Sequence, residues 1–437
     1  MALRHHICTA LLVAASLFFA QHAHAALDNK GTEFVFGFIP AYIDSSATAT
    51  VPPRNVTIEL HLVADVNTSV TINYPVENPT TTITATLVAG VTSIVTLPSH
   101  VSQSWNAGGP QNNAVRAYAS DEFSCVMVNR QPQSSDAALA LPVDVLNTEY
   151  IALTYYSDND LAVDRSEFLI VAAYDNTTVV ITPKKALHSG QTAGVPFSVV
   201  LDKGEGFLAT GTVARAAGDL TGSLVRADKP VAMTNGNKLA QVTAEADFGD
   251  HIFEVAQPTQ TWGDTVLVRN LPRGVAPSPN YSVYRIIASV DGTTVYRDGV
   301  SLGVINRGQF FERIDADTNH VFVGTKPILV AQYMTSYFTA NTRHGDPSMC
   351  YITPVEQYGN AHTFSTVGGD QFTEDYVTII AKSTDAGSLT LDGVAIASTE
   401  YKAIGTTGYK SVAKLLSNGT HTTSSTSGHF VTVEGFG

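Results

Sequence analysis

Cysteine is scarce, three in 437 residues, and the first of them, Cys8, falls in an apparent leader. The other two, Cys125 and Cys350, lie far apart and lack Cys-x-x-Cys spacing, which excludes a zinc ribbon. An oxidising compartment permits a Cys125–Cys350 bridge, and two buried thiols fit the sequence equally well. Charge is sparse too, at 15% of residues, and positive charge sparser: 25 Lys and Arg against 39 Asp and Glu leave a net charge of −14. Such a surface repels phosphate backbones and anionic membranes, so nucleic acid is excluded as a natural partner. No segment keeps a helical period, which excludes a coiled coil, and beyond the leader no apolar run is long enough to span a bilayer.

What is present is a folded, β-forming chain. Hydrophobic residues make up 44%, with 33 Gly and 19 Pro, and runs of Val, Ile, Thr, Tyr and Phe alternate with Gly, Asp, Asn and Pro. The length suits about three or four domains. Residues 1–25 read as a signal peptide: Arg4 opens it, Leu11 to Ala20 is apolar, and Ala23-His24-Ala25 supplies small residues for cleavage. A secreted product follows, with no transmembrane segment.

The chain repeats itself. AAYDNTTVVIT from Ala172 to Thr182 returns as ASVDGTTVYRD from Ala288 to Asp298, a shift of 116. Relatives of this string occur at Ala64 to Val70 and at Asp385 to Leu389. Asp-Asn and Asp-Gly accept the left-handed dihedrals of a two-residue turn, so each copy reads as strand, tight turn, strand, with the aspartates as turn formers. A further hairpin, Asp298-Gly299-Val300, recurs at Asp392-Gly393-Val394. The string around Lys229-Pro230 recurs at Lys326-Pro327, a shift of 97, where Pro suits the first residue of a strand and Lys a solvated strand edge. Trp262-Gly263 recurs as Tyr358-Gly359, at the joins between copies, which points to packing between repeats. The expectation is all-β: a leader 1–25, then four tandem repeats at 32–141, 142–250, 251–346 and 347–437. Each has too many short strands for one flat sheet, so two packed, sandwich-like sheets per repeat are expected, a circular, propeller-like arrangement being the alternative. Without linkers rich in Pro, Ser or Gly, the copies should pack rigidly on one another.

Five strings in order, GTEFVFGFIP, EFLIVAAYDNTTVVIT, SLVRADKPVAMTNGN, DHIFEVAQPTQTWGD and GDPSMCYITPVEQY, make the sequence similar to the IgG Fc-binding protein family, in its repeat-containing N-terminal domain. The resemblance covers nearly all of the chain beyond the leader. It implies a non-catalytic binding or adhesion role, as in secreted, mucus-associated animal proteins and exported microbial ones.

Catalytic constellations are missing: no His-Glu-x-x-His, no Gly-x-Ser-x-Gly and no Gly-x-x-x-x-Gly-Lys. Single histidines such as His251, His320, His344 and His362 read as structural. Asp158, Asp160 and Asp164 in SDNDLAVDRSE are the first calcium candidate; that loop lacks the Gly of a calcium turn, and solvated charges account for it without a metal. Asp315 and Asp317 with Asn319 are a second, weaker candidate. Trp105, among Gly, Asn and Gln in SQSWNAGGPQNN, is the candidate ligand contact. The expected function is therefore an exported, non-enzymatic binding or adhesion protein without cofactor, recognising an extracellular glycoprotein or glycan, or another copy of itself. The alternatives are a secreted carbohydrate-active enzyme, whose paired carboxylates the fold would place, and a self-assembling surface-layer subunit.

Overall fold

The computed structural model describes residues 29–41, 56–103, 105–132, 134–157, 165–243, 249–272, 281–316, 318–335, 347–369 and 372–436. The leader 1–25 lies outside them, as do Asp158, Asp160, Asp164 and Asp317. No helix of the described residues is long and apolar enough to cross a membrane.

The regular secondary structure of the described residues is almost entirely strand. The first sheet holds β1 (Gly31–Phe36), β2 (Thr57–Ala64), β3 (Thr68–Tyr74), β4 (Thr81–Leu87), β5 (Ser93–Leu97), β7 (Val115–Arg130) and β8 (Asp136–Leu139). The short β6 (Gln111–Asn112) crosses to the second sheet, which also holds β9 (Asn147–Ile151), β10 (Ser166–Ala172), β11 (Thr177–Thr182), β12 (Phe197–Leu201), β13 (Glu205–Thr210), β14 (Leu224–Ala240) and β15 (Asp250–Val255). The third is built from β16 (Gly263–Val268), β17 (Tyr281–Ala288), β18 (Thr293–Arg297), β19 (Val300–Ile305), β20 (Phe310–Ala316), β21 (His320–Met334) and β22 (Met349–Ile352). The fourth comprises β23 (Gly359–Ser365), β24 (Glu374–Lys382), β25 (Thr390–Leu391), β26 (Val394–Ala395), β27 (Lys402–Ala403), β28 (Tyr409–Leu416) and β29 (Thr420–Phe436).

One wiring recurs four times, organised by a long strand: β7, β14, β21 or β29. In the first sheet the order is β4-β3-β7-β2-β5, with β1 and β8 also on β7; the third reads β19-β18-β21-β17-β20, with β16 and β22 on β21. The first half of each long strand pairs with one set of neighbours and the second half with another: β7 bonds β1 and β3 through 115–118, then β2 and β8 through 123–130. The two halves thus belong to two layers, and alternate residues such as Ile58, Leu60 and Leu62 fill the space between.

The change of layer happens at a bulge that is the same in every unit. A step of two along the short partner strand matches a step of five along the long one: Gly31 and Glu33 face Phe123 and Tyr118, Asn147 and Glu149 face Val231 and Arg226, Gly263 and Thr265 face Ile328 and Val323, and Gly359 and Ala361 face His429 and Ser424. Extra residues of this kind bend a strand and release its ladder. Lys229-Pro230 and Lys326-Pro327 sit inside these bulges. Pro therefore occupies mid-strand bulges, where its missing N–H leaves no ladder gap, instead of strand starts. The lysines are not free edge charges either: Lys229 Nζ donates to the carbonyls of Asp175 and Asn176 at 2.5 and 3.0 Å, and Lys326 Nζ to that of Asp291 at 2.5 Å.

Those carbonyls belong to the repeated Asp turns, and here the structure corrects the sequence reading. Asn176 and Gly292 take the expected left-handed conformation, at φ 51° and 65°. The strands they join do not pair with each other, however: β10 bonds β13 and β14, whereas β11 bonds β12 and β14. The turn is an arch from one layer to the other, not a hairpin. Asp298-Gly299 and Asp392-Gly393 do close hairpins, with φ of 51° and 81° and of 51° and 76°. Every one of these carboxylates accepts a backbone N–H: Asp175 from Lys203, Asp291 from Arg307, Asp298 from Val321 and Asp392 from Thr422, at 2.8–3.0 Å.

The four units close on themselves. The first packs on the second through Phe38 against Phe253 and a Lys203–Glu33 ion pair of 2.7 Å. The second meets the third around Arg285 and Trp262 in a cluster that also holds Ile151, Val283 and Tyr333. Ile380 and Phe430 of the fourth enter the core of the third, beside Val266 and Phe322. Arg130 of the first finally reaches the carbonyls of Gly368 and Val367 in the fourth, at 2.9 and 3.3 Å, and Thr92 pairs with Thr420 at 2.7 Å. Sandwich-like units and a circular arrangement thus describe the same molecule at two scales.

Candidate functional site

The second half of each of the first three long strands carries one more strand on its axial side, β8, β15 and β22. These three strands lie side by side near the centre of the ring: Phe253 N on β15 donates to the Asp136 carboxylate on β8 at 2.9 Å, and Asn235, beneath β15, donates to the hydroxyl of Tyr351 on β22 at 2.9 Å. Among the described residues no such strand lies on β29, whose residues Phe430 to Phe436 pair only with β24. The fourth axial position is a cavity of about 620 Å³. All four units line it, with Val126 and Leu139 from the first, Glu254 and Val255 from the second, Met334 and Met349 from the third, and Phe364, Phe430 and Phe436 from the fourth.

Several acids line this space. Burial raises Asp136 to about 8, against the two backbone N–H groups, of Phe253 and Ala137, that it accepts. Loss of water likewise lifts Glu254 to about 8, with the Asp136 charge adding to it. Glu434, in the middle of β29, rises to about 8 through burial in spite of nearby Arg269. Burial raises Asp375 to about 6, and one of its carboxyl oxygens has no partner. The histidines go the other way. Burial lowers His429 to about 3, its ring nitrogens lying 2.8 Å from Ser425 Oγ and Thr423 Oγ1, and it lowers His362, which sits edge-on to His429 with ring centroids 4.7 Å apart. At neutral pH the cavity is thus a mostly uncharged, apolar chamber with protonated carboxyls and neutral imidazoles in its wall. Among the described residues no group of three or more His, Cys, Asp or Glu is disposed to hold a metal ion.

Trp105, read from the sequence as a ligand contact, is an interior residue, 4% exposed, with its ring against Gly37 and Gly206 between the first two units. An indole gains more from burial than from a polar loop surface. Cys125 and Cys350 are unbridged: Cys125 is buried within the first sheet, and Cys350 lies on β22 with its Sγ 3.6 Å from Thr432 Oγ1. Burial pushes both thiols well above the usual range, so neither is a reactive thiolate. Asp315 pairs with Arg297, and His320 with Asp298 at 2.6 Å, orienting a hairpin. Trp262 sits 1% exposed at the join of the second and third units, its Nε1 donating to Gln257 O at 3.1 Å, and Tyr358 packs at the next join against Phe430.

Sequence reasoning missed the cavity acids and Arg285. Glu434 had a local signal, a lone acid inside an apolar strand (FVTVEGF), and Glu254 a similar one, an acid set among Ile252, Phe253 and Val255. Arg285 is buried at 1% exposure between Asp219 and Glu312, both 2.9 Å away, with its guanidinium 4.3 Å from the Tyr155 ring centre and 4.8 Å from that of Phe310. Nothing in YSVYRIIAS announces those partners.

Comparison with known proteins decides the family. The family model described as IgGFc binding protein matches residues 136–435, from β8 to the end of β29. The chain belongs to the IgGFc-binding protein family. A human IgGFc-binding protein is 25% identical over 289 residues, which is 65% of this chain and 5% of that protein, so the chain spans only a small fraction of its curated relative. Among solved structures, a calcium-stabilised, ice-binding adhesin of an Antarctic bacterium aligns with 91% of this chain and 98% of its own at 14% identity; a TM-score of 0.12 carries no argument. The IgGFc-binding match includes the three axial strands and the open edge of β29 but leaves out the first sheet up to Ser135, which repeats the same wiring.

Proposed function

We propose that the protein is an exported, non-catalytic binding or adhesion protein that engages an extracellular glycoprotein or glycan. Membership of the IgGFc-binding family carries this reading. It is supported by a rigid ring whose outer strands expose aliphatic side chains in every unit, among them Ile94, Val200, Val300 and Val394, the last two 68% and 70% exposed. A partner can cover such side chains without any rearrangement of the ring. The test is an array of glycans, glycoproteins and immunoglobulin Fc, probed with chain lacking residues 1–25, with and without calcium. Selective binding is expected. Blank arrays together with hydrolysis of a polysaccharide would overturn the reading.

That second outcome, a carbohydrate-active enzyme, has the acids of the cavity in its favour. Hydrolysis of a glycosidic bond needs one protonated and one ionised carboxyl. Asp136, Glu254 and Glu434 all hold their protons at neutral pH, which leaves only Asp375, at about 6, to ionise there. If this reading holds, Asp375→Asn removes the activity.

A further inference from the structure

We infer that the axial cavity binds a small organic cation, an amine whose ammonium group enters among Asp136, Glu254 and Glu434 while its apolar body lies against the aromatic wall. The composition of the lining points to that class. Five of the described lining residues are acids, Asp136, Asp250, Glu254, Asp375 and Glu434, and none is Lys or Arg. Elsewhere the fold brings a cation to its buried acids: Arg285 lies between Asp219 and Glu312. In the cavity the hydrogen bonds come from neutral donors instead, the N–H groups of Ala137 and Phe253 to Asp136, that of Val255 to Glu254, and Thr378 Oγ1 to Glu434. Arg269 stands near Glu434, and Arg130 and His421 near Asp375, but all three lie outside the lining. Asp136, Glu254 and Glu434, from the first, second and fourth units, are all close enough to the Cys350 thiol of the third for their charges to act on it. One point in the wall therefore gathers three acids from three units.

Asp375 gives a separate sign that the space takes a polar guest. It is 4% exposed, lines the cavity, and has one carboxyl oxygen without a partner, an arrangement that costs desolvation until a donor arrives. Phe364, Phe430 and Phe436 with Met334 and Met349 supply the apolar wall; aromatic faces attract an ammonium group, and thioethers adapt to the body that carries it. The volume of about 620 Å³ falls within the range of about 300–1,000 Å³ that small-molecule sites occupy. An anionic ligand would meet the acids and find no cation. His61, His362, His429 and the Cys350 thiol, the other titratable groups of the wall, are kept neutral at pH 7 by burial. The three gathered acids hold their protons until about pH 8, so binding is an exchange: one carboxyl releases its proton to solvent, and the carboxylate left behind pairs with the ammonium. Affinity then rises with pH until those acids ionise unaided. This site goes beyond the surface-binding reading and does not need it; blank glycan and glycoprotein arrays would leave it standing.

The test is titration calorimetry of the intact chain with naphthylmethylamine, run in two buffers of different ionisation enthalpy so that protons released on binding are counted. Saturable binding is expected, with release of about one proton at pH 7 and an affinity that rises about tenfold between pH 6 and pH 7. Neutral naphthylmethanol should bind at least about tenfold more weakly than the amine at pH 8, and naphthylacetate not at all. Glu254→Gln combined with Glu434→Gln copies the protonated carboxyls and so keeps the fold, checked by an unchanged thermal midpoint at pH 6. It should weaken the amine about tenfold or more and leave the alcohol unchanged. No binding at about 1 mM amine, an affinity too weak to matter, would overturn the inference. So would an alcohol that binds as tightly as the amine, which would make the cavity merely apolar, or amine binding without proton release. Amine binding that the double variant leaves unchanged would place the ligand elsewhere and would equally overturn it.

Discussion

The join between the second and third units and the join between the fourth and first close the same ring by different means. At the former, Arg285 is enclosed by Asp219, Glu312, Thr154 O at 2.7 Å and the rings of Tyr155 and Phe310, and Tyr333 OH and Tyr351 OH donate to the carbonyls of Thr154 and Leu153. At the latter, Arg130 donates to two loop carbonyls while keeping Glu59 at 3.3 Å, and a threonine pair supplies the rest. A desolvated cation held between two carboxylates makes a join that cannot be partly undone. A cation only partly buried, as Arg130 is at 17% exposure, makes a join that water can replace. The ring therefore has a strong side and a seam, and the seam borders the cavity that Val367, Phe372 and Asp375 help to line.

The contrast can be broken from the strong side first. Arg285→Ala leaves Asp219 buried and unpaired and should lower stability by about 3–5 kcal/mol, read as a shift in the urea midpoint with the second and third units failing together. Trp105→Ala, which empties the space between Gly37 and Gly206, is expected to cost about 3–5 kcal/mol by leaving a cavity, again in the unfolding midpoint. At the seam, Arg130→Ala should cost about 1.5–3 kcal/mol, the range for hydrogen bonds to a charged group; faster amide exchange confined to β23 and the 366–369 loop would check it. Loss as large as that for Arg285→Ala would erase the distinction. Thr92→Val, at the same seam, should change stability by about 1 kcal/mol or less.

A separate test is set by pH, and its sign follows from the cavity. Asp136, Glu254, Glu434 and, elsewhere, Glu167 are raised by burial to about 8, so the folded chain holds protons that the unfolded chain has already released above its ordinary carboxyl range. Stability from these groups is complete at acid pH and is lost as pH rises towards 8. His251, lowered by burial to about 4, and His429, to about 3, act oppositely, but only below the ordinary histidine value of 6.5. Between pH 6.5 and 8 the carboxyls act alone, and the thermal midpoint should fall as pH rises through that window. A flat profile there would mean that the cavity acids are already ionised and solvated.

Much of the fold was legible because it depends on local chemistry. The β-branched runs, the left-handed Asn176, Gly292, Asp298 and Asp392, and the paired hairpins at Asp298-Gly299 and Asp392-Gly393 are properties of neighbouring residues. The arch at Asp175 looks the same in sequence as a hairpin, since the turn dihedrals do not say whether the flanking strands bond each other or two different neighbours. Lys229 and Pro230 read as an edge charge and a strand start because their partners lie about fifty residues away. Trp105 read as a contact because its neighbours are polar, while its packing surface comes from Gly206.

The sequence by itself determined that this is an all-β chain built from one motif used four times, because turn dihedrals and strand alternation act over a few residues and are written into each copy. Only the tertiary structure decided that the copies close into a ring, that Arg285 is locked inside one join, and that Asp136, Glu254, Asp375 and Glu434 share a cavity beside an open strand edge. Those features arise from desolvation and from contacts across hundreds of residues, and no single copy carries the information for them.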